Sequence, residues 1–422
     1  MHICHITTFK VHDPRIYYRM CYGLAEHDVS VTLIAPQTTP EDPVVRLSVF
    51  NGRLAQVSRA RRLGVALRAA LAEHADVYHI HEQELIPIGM ALKILRPSAA
   101  VVFDAREDYP GLMRAKYWVP KLWRSQLALL AQAANRVASL GLDGIVAADP
   151  AVAKDFQSWG TRQTCVYYNF PTLPLFSSER VRPPAAPVDL VYVGGMSERT
   201  GMFVVLDALA LLAQEGLRPT VRLAGYTDGA RGLQALREGI ACRQLTTQVE
   251  LRGPLPYAEV PAWIRSGRIG LVPLQPLPKF MKNISTKTFE YWACGLPVIA
   301  SDLPPIRPFL THGYNGVLFK PSHARALARA MRAVLEAPEQ CAMMGRHGQQ
   351  QVYQTWNNNS QATGLQSFYQ QFGKTLPSRN PRGHRRLGGS RHAGGLANGR
   401  HAGARPCRRD AAMRRHEPGQ VS

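Results

Sequence analysis

Long apolar runs, paired cysteines and metal-ligand spacings are all missing from this sequence of 422 residues. No stretch approaches the ~20 apolar residues of a membrane-spanning helix, and the first residues lack the apolar core of a signal peptide. The seven cysteines are scattered without a C-x-x-C pair, which is typical of reduced thiols in the cytoplasm. No group of His, Cys and Asp has the spacing of a metal site. We therefore expect a cytoplasmic protein that neither spans a membrane nor needs a metal or other cofactor.

Acidic residues are scarce, and the formal net charge is +21. The segment 375–422 has eleven arginines, no lysine and two acids, so it carries +9 and leaves +12 on the body of the chain. Its composition predicts a disordered tail that is incidental to function. The positive body favours an anionic partner, either the pyrophosphate of a ligand or the inner face of the plasma membrane. Specific nucleic-acid binding is not expected, because no known nucleic-acid motif accompanies the charge.

Short apolar strands alternate with helical patterns along most of the chain, which predicts an α/β fold. We expect one Rossmann-like, doubly wound domain over 1–178 and a second over 179–355, joined by the polar, Pro-rich loop 176–188. The predicted strands are 2–7, 29–35, 76–81 and 99–105 in the first domain, and 189–195, 220–225, 249–253, 269–273 and 297–301 in the second. Helices are predicted from Asp13 onward and over 202–214, 256–267, 322–336, 337–354 and 358–371.

The most informative segment is GLVPLQPLPKFMKNISTKTFEYWACGLPVIASD, residues 270–302. Two buried strands enclose a short helix, for which Ser285 or Thr286 can supply the cap. A helix that begins at the carboxyl ends of parallel strands is a ready anion site. Lys287 adds positive charge, and Glu290 lies off the buried stripe, where it can accept hydrogen bonds from a diol. The segment therefore predicts a site for phosphate and ribose.

The part KTFEYWACGLPVIASD resembles the donor-binding segment of the family-4 retaining glycosyltransferases, which have the two-domain GT-B fold and use nucleotide sugars. The resemblance is tight over 284–302 and patchy elsewhere in 1–372. It implies that Glu290 holds the donor ribose and that Lys287 contacts the diphosphate. The family carries a second Glu eight positions earlier, where this chain has Lys282, which would line the sugar pocket. It also implies that the last helix, 356–372, crosses back to the first domain.

Two further segments extend the resemblance in the second domain. In VYVGGMSERTGM, Gly195 stands where many relatives have Arg, and Thr200 stands where they have Lys or Arg. Arg199 is then the best candidate ligand of the diphosphate. The segment LRGPLPYAEVPAW occupies the base-binding position, where backbone groups around Leu255 and Tyr257 would hold uracil or guanine.

The first domain supplies the candidates for the sugar and the acceptor. VVFDAREDYP resembles a family segment in which a His lies close to the donor sugar, and Arg106 occupies that position here. Arginine stays protonated and cannot act as a base. Arg106, Glu107 and Lys282 are the candidate catalytic residues. His12, His81 and Glu82 are the candidate acceptor residues, although a buried hydrogen-bonding role for one of His79 and His81 stays open.

Basic and aromatic residues alternate over 113–136, which fits either an interfacial surface on anionic lipid or an ordinary helix with its aromatics packed inside. The resemblance thus implies a retaining glycosyltransferase, and we expect it to be metal-independent. Its substrates would be a nucleoside-diphosphate sugar and a glycan or lipid-linked acceptor, in the synthesis of a cell-surface polysaccharide or glycoconjugate. Two alternatives stay open: a non-catalytic relative that binds nucleotide sugar or glycan, and a GT-B sugar epimerase.

Overall fold

The computed structural model describes residues 1–8, 13–36, 45–49, 59–116, 119–177 and 187–375. His12, assigned above to the acceptor, and the tail after Thr375 lie outside these ranges. The described residues of both Rossmann-like halves belong to one compact unit. No helix within the described ranges combines the length and the apolar character that a bilayer crossing requires.

Seven parallel strands form the sheet of the first half, in the order β3-β2-β1-β4-β5-β6-β7. Their bounds are His2–Ile6 (β1), Ser30–Ala35 (β2), Arg46–Val49 (β3), Val77–Ile80 (β4), Ala100–Ala105 (β5), Gly144–Ala147 (β6) and Thr164–Val166 (β7). The sequence pattern did not predict β3, β6 and β7. The chain builds outward from β1 to β3 and then crosses to β4 on the other side of β1. The topological switch point, where open α/β sheets bind ligands, therefore lies between β1 and β4.

The first helix begins where the sequence predicts, because the Asp13 side chain accepts the N–H groups of Arg15 and Ile16 at 3.0 and 3.1 Å. Its first two turns are π-helical over Pro14–Cys21, and it continues as α1, Tyr22–Ala25. π-helical turns are rare and often occur at functional sites. Here both Arg15 and Arg19 are buried. The other helices of this half are Arg59–Glu73 (α2), Ile86–Leu95 (α3), Tyr109–Ala115 (α4), Lys121–Gly141 (α5), Pro150–Ser158 (α6) and Leu173–Ser177 (α7).

The second half contains six parallel strands in the order β10-β9-β8-β11-β12-β13, with its switch point between β8 and β11. The strands are Val188–Val193 (β8), Val221–Ala224 (β9), Val249–Arg252 (β10), Gly267–Val272 (β11), Val298–Ser301 (β12) and Gly316–Phe319 (β13). The helices are Met202–Gln214 (α8), Gly229–Cys242 (α9), Val260–Arg265 (α10), Thr286–Ala293 (α11), Ala324–Leu335 (α12) and Pro338–Gln354 (α13). Both sheets are parallel and covered by helices, so the predicted α/β architecture of two doubly wound units is confirmed.

The last described helix is α14, Asn358–Thr375, and it packs on the first sheet. Phe368 and Phe372 lie so close to β6 that a Cβ on Gly144 would come within 2.7 and 2.8 Å of their rings. Just before α14, Trp356 still packs in the core of the second half. The chain therefore passes from one core to the other at the start of α14.

Candidate functional site

The carboxyl ends of the two sheets lie against each other. The loop after β11 donates two hydrogen bonds to Asp149, which follows β6: one from Asn283 Nδ2 at 2.6 Å and one from the backbone N of Ile284 at 2.9 Å. In the same loop, Lys279 Nζ lies 2.9 Å from Oε1 of Glu107, which follows β5. The two switch points therefore border one crevice, which is where this class of sheet binds ligands.

Close backbone approaches shape the crevice on the second sheet. Gly194, Gly201 and Gly225 all have positive φ angles. A Cβ on Gly225 would lie 1.8 Å from the carbonyl oxygen of Gly194, and one on Gly201 would lie 1.8 Å from that of Pro273. Only glycine can hold these positions, because any side chain would overlap a neighbouring backbone. A Cβ on the predicted Gly195, in contrast, would meet only a Thr200 methyl at 3.9 Å, so this turn has room above it.

Helix α11 begins at this crevice, as the sequence predicts. Ser285 occupies the predicted cap position, but its side chain makes no capping hydrogen bond; the N–H of Thr288 donates to the Ser285 carbonyl at 3.3 Å instead. Lys287 lies along the glycine turn, since a Cβ on Gly194 would come within 2.2 Å of its Cε. Its Nζ sits 5.4 Å from the centre of the Tyr192 ring. A helix N-terminus, a lysine and an open glycine turn thus converge at the β8/β11 switch point.

A small cavity of about 20 Å³ borders the same helix end. The hydroxyls of Thr288 and Ser301 face it from α11 and from the end of β12, and neither has a hydrogen-bond partner among the described residues. Its volume is enough for one water-sized group. Two buried hydroxyls without partners among the described residues thus border this end of the crevice.

Glu290 was predicted to lie off the buried stripe of α11, but its side chain is not exposed to solvent. It is buried, and its Oε1 accepts hydrogen bonds from Arg19 Nη2 and from the Tyr257 hydroxyl, both at 3.0 Å. Arg19 belongs to the π-helical turn of the first half and also donates to the Phe170 carbonyl at 2.8 Å. Burial raises the pKa of Tyr257, so its hydroxyl stays a donor to Glu290. Glu290 therefore joins the two halves of the protein.

The other predicted nucleotide ligands occupy different environments. Arg199 forms an ion pair of 3.0 Å with Asp228, in which both side chains are about two-fifths exposed. Thr200 donates to the Gly195 carbonyl at 2.7 Å, so the residue that replaces a family cation closes the turn instead. Leu255 is half-buried and packs on the core of the second half. The structure thus keeps Lys287 at the helix N-terminus and directs Arg199 towards Asp228.

Glu82 is the most distinctive titratable group on the first sheet. It follows β4 at the switch point and accepts hydrogen bonds from the Thr7 hydroxyl at 2.7 Å and the Thr8 backbone N–H at 2.9 Å. Burial raises the pKa of Glu82 to about 7, although these hydrogen bonds lower it. Arg106 Nη1 lies 4.0 Å from Glu82, while its Nη2 contacts Asp13 at 2.9 Å. Arg106 therefore neutralises carboxylates at the crevice edge.

Lys282 does not point at open space for a sugar. Its ammonium lies 2.8 Å from Asp155 and 3.4 Å from Asp108, both on the first half. Glu107 is likewise paired, with Lys279. Arg106 pairs within the first half, but the other two residues predicted as catalytic, Glu107 and Lys282, form ion pairs that bridge the two halves across the crevice. The sequence could not show this, because each pair joins residues more than a hundred positions apart.

A cluster of three histidines was missed by the sequence analysis, which found no metal-like grouping. His5 on β1 lies beside His79 in the strand register, and His81 follows on the same face. His81 Nδ1 is 2.9 Å from Asp104 and its Nε2 is 2.8 Å from His5 Nδ1. Burial lowers the pKa of all three imidazoles. His81 is fully buried, and both of its ring nitrogens have partners within the protein, which is the buried hydrogen-bonding role left open for it above.

The cluster suits a hydrogen-bonded core better than a metal. Both nitrogens of His81 are taken, and His79 Nδ1 lies 2.6 Å from the Tyr369 hydroxyl of α14. Only His5 Nε2 and His79 Nε2 lack partners among the described residues, which is fewer than the three or four protein ligands of a typical zinc site. Asp104, the partner of His81, is also held by a bidentate contact with Arg15, whose guanidinium lies beside the cluster.

Known proteins with a similar sequence or fold include several glycosyltransferases. Residues 187–337 match the sequence profile of the family described as glycosyl transferases group 1. The amylovoran biosynthesis glycosyltransferase AmsK of Erwinia amylovora is 31% identical over 144 residues, which cover 34% of this chain and 34% of AmsK. The chain aligns with well under half the length of the curated relatives it matches.

Solved structures match over a longer stretch. Sucrose-phosphate synthase of Thermosynechococcus elongatus superimposes with a TM-score of 0.69 at 19% identity, covering 89% of this chain and 99% of that one. HepE of Anabaena in complex with UDP-glucose superimposes with a TM-score of 0.66 at 18% identity, over the same shares of the two chains. At these low sequence identities, the matches show only that the fold is shared. The chain therefore has the GT-B fold, and its residues 187–337 are similar to the glycosyl transferases group 1 family.

Proposed function

We propose that this chain is a glycosyltransferase of polysaccharide synthesis. It would move a sugar from a nucleoside-diphosphate donor to a glycan or lipid-linked acceptor, with retention at the anomeric carbon. The observation that carries this proposal is the anion site at the β8/β11 switch point, where Lys287 and the uncapped start of α11 meet the open glycine turn. The site lies inside the segment that matches the glycosyl transferases. A similar fold in HepE, solved with UDP-glucose, supports a nucleotide-sugar donor.

The donor diphosphate would rest against Lys287 and the N–H groups of α11. Negative charge grows on this group as the glycosidic bond to it breaks, and preorganised donors stabilise charge most where it develops. A helix N-terminus offers about half a positive charge in addition to that of the lysine. We therefore propose that transfer needs no metal ion.

Glu290 is positioned to hold the ribose with one of its two oxygens. Both hydrogen bonds that it receives from described residues end on Oε1, so Oε2 is the oxygen that a ribose hydroxyl would reach. Arg19 and Tyr257 would fix the carboxylate in place. The base would then lie near the backbone of Leu255 and Tyr257, at the start of the turn before α10.

The acceptor hydroxyl would approach from the first switch point. Glu82 is the group suited to accept a hydrogen bond from it, because its pKa of about 7 leaves it partly ionised at neutral pH. Arg106 lies close enough to influence that charge but cannot remove a proton. Arg106 is therefore a positioning residue for Glu82 and Asp13. Retention follows the family resemblance and requires that acceptor and diphosphate occupy the same face of the sugar.

One observation favours the alternative of a non-catalytic binder. Arg106, Lys282 and Thr200, which replace familiar family residues, are all engaged by protein groups. A binder would take up the nucleotide sugar without breaking it.

The test incubates the full chain with UDP- and GDP-sugars and a glycan acceptor, and follows nucleotide release and the anomeric proton of the product by NMR. Release with an α-linked product from an α-linked donor is expected. If the chain binds a nucleotide sugar but releases no nucleotide with any pair of donor and acceptor, the result would favour the non-catalytic binder.

A further inference from the structure

Helix α5 has apolar side chains on two opposite sides, one buried and one exposed. One stripe, including Ala128, Ala131 and Ala138, is buried within the first half, where α5 packs beside α3, α4 and α6. The opposite side carries large apolar residues, here called the α5 stripe: Leu122, Trp123, Leu129, Leu130, Val137 and Leu140, which are 76, 60, 62, 66, 48 and 75% exposed. A helix on a globular surface normally shows only one apolar stripe. The exposure of Trp123 also rules out, for this residue, the alternative that the aromatics of 113–136 pack inside.

The charge around the α5 stripe has one sign. Between Asp108 and Asp143 the chain has no acidic residue and five basic ones, Arg114, Lys116, Lys121, Arg124 and Arg136. A second copy of this chain would bring the same positive charge to a two-fold interface, which is unfavourable. An anionic bilayer complements both the charge and the apolar stripe. The stripe extends over about 27 Å at 1.5 Å per residue, which suits a helix lying in the plane of the membrane interface.

A groove connects this stripe to the crevice. It has a volume of about 730 Å³ and lies between α2, α4 and α5. Its apolar part is lined by Leu63, Leu112, Met113, Leu127 and Leu130, of which Leu130 also belongs to the α5 stripe. Its polar end contains Glu82 and Thr8, at the first switch point. The groove therefore leads from the exposed side of α5 to the group proposed to receive the acceptor hydroxyl.

We propose that the α5 stripe lies in the interface of an anionic bilayer and that the groove receives the apolar part of a membrane-borne acceptor. The acceptor is then a lipid-linked sugar rather than a soluble glycan. Its hydrocarbon enters beside Leu130, and its sugar hydroxyl lies at Glu82. The acceptor half of this inference rests on the proposed function, whereas the membrane contact does not.

The membrane contact is tested with the full chain and vesicles. The triple variant Leu122→Gln/Leu129→Gln/Leu140→Gln removes three exposed side chains that are outside the groove lining. We expect its partition onto vesicles of equimolar phosphatidylcholine and phosphatidylglycerol to fall by at least about tenfold. Met343→Gln/Tyr353→Gln is the matched control, because both residues are exposed on α13, at 46 and 40%. This control should bind as the parent does.

Two results would overturn the membrane contact. The first is equal binding by the triple variant and the parent, since the basic tail alone would then account for the attraction. The second is a dimer of the parent chain that the triple variant converts to a monomer, which would assign the stripe to a second copy. Brominated lipids provide an independent readout. They should quench the parent fluorescence more than that of Trp123→Phe, and equal quenching would also count against the contact.

The groove is tested with farnesyl phosphate, with inorganic phosphate as the control for the anion alone. The parent should bind farnesyl phosphate at least about tenfold more tightly than phosphate, because apolar surface is buried. Met113→Gln should weaken that binding and leave nucleotide binding unchanged. Equal affinity for the two probes would overturn the groove assignment. Farnesyl phosphate binding without any nucleotide binding would instead contradict the proposed function.

Discussion

The buried ion pair between Arg19 and Glu290 joins the two halves of the protein. The structure allows the free-energy cost of breaking this pair to be estimated. The atoms are 3.0 Å apart, and the side chains are only 4 and 8% exposed. Removing one partner of such a pair costs about 3–5 kcal/mol, because the other charge stays buried without compensation. We therefore expect Arg19→Met to lower the free energy of unfolding by that amount. Glu290→Gln should cost about 3 kcal/mol, since an amide oxygen still accepts the hydrogen bonds of Arg19 and Tyr257.

The double variant separates the pair from its surroundings. Arg19→Met/Glu290→Gln leaves no unpaired charge, so its loss should be smaller than the sum of the single losses by at least about 2 kcal/mol. The assay is urea denaturation followed by near-ultraviolet circular dichroism. The surface pair Arg252–Glu259 is the matched control, because its atoms are also 3.0 Å apart but its side chains are about half exposed. Its coupling should be at most about 1 kcal/mol.

The reasoning would be refuted if the stability losses of the two single variants added up to that of the double variant within about 0.5 kcal/mol. Such additivity would show that the two charges do not depend on each other. The same variants separate the two roles of Glu290. Glu290→Gln should weaken nucleotide binding by roughly tenfold or more through the lost ribose contact. Arg19→Met should change nucleotide affinity much less, because its role is to hold the carboxylate.

Three further outcomes are expected. Because burial raises the pKa of Glu82 from 4.5 to about 7, the native state keeps a proton there that the unfolded chain loses above pH 4.5. Stability should thus fall as the pH rises from 4.5 to 7, by at most about 3 kcal/mol, and Glu82→Gln should remove this part of the slope. Parallel pH profiles of the two proteins would count against the assignment. Transfer should persist in EDTA, because Lys287 and the start of α11 supply the positive charge; loss that magnesium or manganese restores would contradict metal independence. A chain that ends at Lys374 should keep its unfolding midpoint and turnover, because the tail lacks an apolar period. A large drop in either would give the tail a structural role.

The sequence predicted the elements that have a strong local pattern. Met202–Gln214 has the predicted helix bounds, and the strands that enclose α11 lie where their β-branched runs place them. The strands that were missed are three or four residues long, such as Thr164–Val166 and Gly316–Phe319 at the outer edges of the sheets. A segment of three or four residues is too short for its apolar pattern to distinguish a strand from a loop.

The site was less predictable because its contacts are not local. The motif located Lys287 and Glu290, but not Arg19, which comes from the other half of the chain. Lys282 was assigned to the sugar pocket from its position in the family motif, and the sequence could not show its ion pair with the distant Asp155. The histidine cluster follows from the placement of β1 beside β4, because both strands carry histidines near their ends. Predicting that placement requires the strand order, which local patterns do not contain.

The central claim is that a nucleoside diphosphate binds where α11 begins. Its most direct test is calorimetric titration of the full chain with UDP, GDP and ADP, repeated with Lys287→Met and with the control Lys320→Met. We predict that at least one nucleotide binds and that Lys287→Met weakens it by roughly 10- to 100-fold, as expected for a charge-assisted contact. Lys320→Met should bind as the parent does. A folded parent chain that binds none of these nucleotides, or binds one equally well after Lys287→Met, would contradict the account.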